Sequence, residues 1–215
     1  MAQFRRPASL SPQKQDEIEG GIDPARRDEA AHESAAALLH ATRQSVRPEV
    51  VERVVRLAEH EGLDDLAALW SGAEPSSLPG ALWRLYVLHA WVHGDPSQVK
   101  QRFELGRSTA PGLTYLAGFP EPPDIDSMRD TLDEILRGAF TGDLSIALKR
   151  ASAIAMLVAY GTAHAADSSS SIAELSAHED VPLTPQALTD SAHRLLAMGE
   201  ALDAASRSAL LGTLD

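Results

Sequence analysis

Two histidines, His89 and His93, stand four residues apart in the stretch LPGALWRLYVLHAWVH, from Leu78 to His93. On a helix that spacing places both imidazoles on one face, where they can share a divalent metal ion. The residues between them, Ala90, Trp91 and Val92, include no general base, so the His-Glu-x-x-His pattern of zinc proteases is absent. A di-iron bundle needs Glu-x-x-His on two helices, and that paired pattern is absent as well. A third ligand would have to come from His164 or from a carboxylate. The alternative is structural: near the end of a buried helix, a histidine can bond the free carbonyls.

Other residues invite other chemistry. Lys100, Arg102 and Arg107, with Arg84 not far off in sequence, form the best basic cluster. With Ser108, Thr109 and Gly106 they could hold an anion such as phosphate, although no GxGxxG or GxxxxGK[ST] pattern accompanies them and Glu104 intrudes. Trp83, Tyr86 and Trp91 recur at helical spacing; Trp83 and Tyr86 read as core, while Trp91 stays open as a ligand contact. Asp126, Asp130 and Glu134 line up at four-residue steps and read as a solvated face, with Arg129, Asp133 and Arg137 as surface pairs beside them. No Gly-x-Ser-x-Gly elbow singles out a nucleophile among the many serines and histidines. Val50 to Trp70 has the outline of a helix-turn-helix, but its second helix would present Asp64 and Asp65 to a phosphate backbone. DNA reading by this segment is rejected.

The elements that must position these side chains are helices. Placed at about 100° per residue, Leu78 to His93 is apolar all round, the mark of a buried central helix. Around it the sequence predicts about seven helices and no strand: an all-α, single multi-helix bundle. Residues 1–23 mix Pro, Gln, Ser and both charges without periodicity and read as a mobile, disordered tail. Residues 24–161 form the helical core domain, with helices opening at Pro24, Pro48, Leu63, Ser77, Asp95, Ile125 and Leu144. Gly62, Gly106 and Gly161 read as helix stops, and Arg107 to Pro123 as a loop or short turns. Ala147, Ala151, Ala155 and Ala159 make a smooth strip for close helix approach. Residues 162–183, with the run Ser168 to Ser171, read as a Ser-rich linker to a C-terminal helix over 184–215. That helix carries a short heptad seam, Leu188, Ala192, Leu195, Gly199 and Leu202, whose leucines are candidate partner contacts.

The chain of 215 residues is long enough for one sizeable core. Its formal net charge of −12 opposes direct binding to nucleic acid or to an anionic membrane. With no cysteine, disulfides and thiolate chemistry are excluded. The longest apolar run, Ala151 to Tyr160, is about half of a bilayer span, which points to a cytoplasmic protein without a membrane partner. Leu82 to Gly106, LWRLYVLHAWVHGDPSQVKQRFELG, and Arg137 to Ile154, RGAFTGDLSIALKRASAI, resemble an uncharacterised family of all-helical actinobacterial proteins. The resemblance implies a cytoplasmic helical protein and brings no catalytic residues with it. Together these features lead to the expectation of a non-enzymatic interaction or regulatory protein without a cofactor, acting through a protein partner or as a homodimer. The alternative is a small-molecule- or metal-binding helical bundle, with enzymatic activity left open.

Overall fold

Pairs of a short polar residue and a nearby proline open three of the helices. Ser77 accepts a bond from the Gly80 amide at 3.3 Å, Asp95 from Gln98 at 3.1 Å and Thr184 from Ala187 at 3.2 Å. Each satisfies a backbone donor that the first helical turn cannot, at about 1 kcal/mol apiece. Asp143 does the same for Ser145 and Ile146. The computed structural model describes residues 23–44, 63–118, 125–172 and 184–215, with Glu49 and Arg53 as isolated helical positions. The helices are α1 (Pro24–Gln44), α2 (Leu63–Trp70), α3 (Leu78–Gly94), α4 (Pro96–Thr109), α5 (Pro111–Ala117), α6 (Ile125–Thr141), α7 (Leu144–Ile172) and α8 (Pro185–Leu211). Among the described residues there is no strand, and the chain is an all-α bundle. The expected tail and the expected helix from Pro48 lie, isolated positions apart, outside the described residues.

Helix α3 is buried on most sides, as its apolar circumference requires, and packs against α1, α2, α6 and α8 with smaller contacts to α4 and α7. It shares the centre with α7. That 29-residue helix carries α8 along its length and also packs α4, α5 and α6. All four alanines of its strip are buried. By length and composition Leu144–Ser168 could cross a membrane, yet 72% of its most apolar window is buried inside the fold, as in a core helix. Trp70, Tyr86 and Phe140 form an aromatic chain with ring centroids 6.2 Å apart at both steps, tying α2, α3 and α6 together.

Two glycines correct the sequence reading. Helix α4 continues through Gly106 to Thr109, and α7 continues through Gly161 to Ile172. Neither is a stop. A Cβ on Gly161 would lie 1.6 Å from the Arg102 carbonyl oxygen, and one on Gly106 would lie 1.9 Å from that of Leu157. The glycines let α4 and α7 cross backbone against backbone, which offsets the roughly 1 kcal/mol that glycine loses to alanine inside a helix. In consequence the region from Arg107 is not a plain loop, since α5 follows at once. Likewise the expected linker over 162–183 is helical as far as Ile172.

The C-terminal helix is not on a loose tether where it is described. Ser152 Oγ donates to the Gly199 carbonyl at 2.7 Å, Ser206 Oγ to that of Ser145 at 2.8 Å, and Lys149 pairs with Asp203. Leu188, Leu195 and Leu202 are buried within the same chain.

Gly161→Ala is expected to destabilise the fold by about 3 kcal/mol, because backbone must move to admit the methyl group. At Gly138 in α6, a Cβ would meet nothing within 4 Å. There alanine should stabilise by about 0.5–1 kcal/mol. Urea unfolding of both variants checks the pair.

Candidate metal centre

Helix α6 turns Met128, Leu132, Ile135, Leu136, Ala139 and Phe140 into the core. Asp133 lies one position beyond Leu132, at the edge of that apolar face, and the packing of α6 on α3 brings it to the two histidines. His89 Nε2 is 2.6 Å from Asp133 Oδ1, and His93 Nε2 is 3.2 Å from the same oxygen. The imidazoles stack, with centroids 4.0 Å apart and planes 21° from parallel. One ligand atom from each of the three residues lies within 4.8 Å of the others.

The hydrogen bonds fix what this cluster needs. His93 Nδ1 is 3.0 Å from the His89 carbonyl oxygen. A carbonyl only accepts, so Nδ1 carries the proton in that contact. In a neutral ring Nε2 then aims a lone pair at the Asp133 carboxylate. Two lone pairs face each other with repulsion unless a cation lies between them, either a proton on Nε2 or a metal ion. Donation of the second ring nitrogen to a backbone carbonyl is also how metal-ligating histidines are held in the correct tautomer. Arg129 Nη2 donates to the His93 carbonyl at 3.4 Å and steadies the end of α3.

Exposure is lopsided. The His89 side chain is 1% exposed, whereas those of His93 and Asp133 are 23% and 28% exposed. The cluster is therefore closed on the core side and open towards solvent, so an ion could enter without unfolding the bundle.

The other sequence candidates disperse or change role. His164 is exposed and outside the cluster; the third donor is Asp133. Sequence reasoning placed Asp133 among surface pairs, and its adjacency to buried Leu132 was the available signal. Glu134 meets Arg150 at 2.8 Å, and Asp126 and Asp130 are exposed. The basic cluster does not converge. Arg84 donates to the Gly80 carbonyl at 2.9 Å, with burial lowering its pKa and Glu74 opposing that shift. Arg107 pairs with Glu104 at 3.2 Å, and Lys100 is half-buried near that carboxylate. Only Arg102 and Trp91 meet, the guanidinium carbon standing 5.7 Å from the ring centroid. Tyr86 is core, as expected, and its hydroxyl pKa is pushed upward by burial; Trp83 packs half-buried against the core. Leu188, Leu195 and Leu202 are buried within the chain.

Comparison with protein-family models, curated proteins and solved structures finds no match to this chain.

In metal-free protein, Asp133→Ala removes the acceptor of a buried imidazole and is expected to destabilise by about 1–3 kcal/mol. Asp130→Ala, on the solvated side of the same helix, should stay within about 0.5 kcal/mol of the parent. Urea midpoints at fixed pH compare the two.

Proposed function

We propose that this protein binds a divalent metal ion of the zinc class through His89, His93 and Asp133, and that the ion clamps the end of α3 to α6. Two imidazoles and one carboxylate suit zinc, cobalt or nickel, whereas calcium and magnesium prefer all-oxygen shells. The observation that carries this reading is the orientation of His93, whose Nδ1 contact with a carbonyl leaves Nε2 facing a carboxylate oxygen. Three protein donors leave a fourth tetrahedral position on the solvent side for water or a further ligand. Such an ion also couples binding to folding, because it joins two helices far apart in sequence. The leucine seam behind the partner-or-homodimer reading is engaged inside the chain, which favours the metal-binding alternative.

Untagged, chelator-treated protein is expected to take up one Zn²⁺ per chain. At a free ion concentration about 100 times Kd, unfolding should require about 2.7 kcal/mol more. Co²⁺ should give the visible absorption of a tetrahedral site. His93→Ala and Asp133→Ala should each weaken binding by about tenfold or more, with Mg²⁺ and Ca²⁺ inert. An equal thermal shift by Zn²⁺ in the parent and in the His89→Ala/His93→Ala variant would overturn the assignment.

A further inference from the structure

A second site lies across α3 from the histidines. Between α3, α4 and α8 runs a half-open groove of about 500 Å³. Its walls are largely apolar, with Val87, Leu88, Leu195 and Met198 beside the face of Trp91. Into this wall comes Arg102, only 7% exposed. Among the described residues its guanidinium makes no hydrogen bond and no salt bridge. Asp95 acts on it by Coulomb attraction, which partly opposes the lowering of its pKa by burial, and Trp91 offers its ring. The Arg102 nitrogens keep contact with solvent, and a guanidinium offers five N–H donors in a planar fork to an acceptor that enters the groove. Arg194, exposed on α8, adds a second positive charge at the rim.

We propose that this groove binds a small organic carboxylate with an apolar body, the carboxylate on Arg102 and the body along Trp91, Leu195 and Met198. The fork matches a carboxylate with two parallel bonds. A bare inorganic anion would satisfy Arg102 and leave the apolar wall wet. A dianion such as phosphate would place a second charge against that wall with only the rim arginine to meet it. The volume falls within the range of small-molecule pockets and far exceeds a single ion. This site shares no residue with the metal cluster, so neither proposal rests on the other.

The test uses metal-free, full-length protein with octanoate as probe, followed by calorimetry and by tryptophan emission. Octanoate should bind at one per chain, with acetate, phosphate and 1-octanol each about tenfold or more weaker. Arg102→Met should weaken octanoate by about tenfold or more while leaving 1-octanol unchanged. Arg102→Lys should recover only part, since a point charge replaces the fork. Should Arg102→Met fail to fold, Ser191→Phe decides, because it fills the half-buried groove wall with Arg102 intact and should abolish octanoate binding. The proposal is overturned by no saturable octanoate binding, by acetate or phosphate matching octanoate, or by undiminished binding in either Arg102→Met or Ser191→Phe.

Discussion

The close approach of α4 to α7 constrains more of this molecule than any other contact. Gly106 and Gly161 have no side chains, and the carbonyls of Arg102 and Leu157 occupy the space where side chains would begin. Backbone-to-backbone packing of this kind has no slack, because no rotamer can adjust to relieve a misfit. It therefore sets the distance at which α4 stands from the core helix, and with it the place of everything α4 carries. Arg102 is the clearest case. Its carbonyl is pressed against Gly161 while its side chain leaves on the other side, towards Trp91 on α3. The groove exists because the crossing holds α4 close there.

The bundle is built by two different solutions to the burial of a helix. Helix α3 uses large residues around its whole circumference and is packed by neighbours on most sides. Helix α7 uses small ones and lets its neighbours come near. With α8 it exchanges buried serine-to-carbonyl bonds, which satisfy hydroxyls that would otherwise be stranded in an apolar interior. Between α7 and α8 the buried serine hydroxyls are thus paired rather than excluded.

Helix class and helix starts were legible in the chain because their causes are local. A cap such as Ser77 or Asp95 acts within one turn, and the apolar periodicity of α6 reads directly as its buried face. Glycine was misread for a physical reason. At Gly106 and Gly161 the same absence of a side chain that permits a helix to end also permits two helices to touch, and only the partner tells which applies. The histidine pair was legible as a spacing. Asp133 was not, since it lies 44 residues from His89 and its local setting offers Arg129 and Arg137 as ordinary neighbours. Arg102 was visible as a charge but not as a buried one, because its burial depends on α8 and α3 together.

His89 and His93 leave α3 on one side while Val87 and Trp91 leave it on the other, so the last turns of one helix separate a polar cluster from a largely apolar groove. A rigid helix of about 10 Å diameter gives the two a common wall. Any rotation or slide of that wall is felt in both places. Thermodynamic linkage then sets a symmetry: whatever free energy occupancy of one side exerts on the affinity of the other is returned in equal measure. The end of α3 is thus a shared partition, and any coupling between its two sides is the same in both directions.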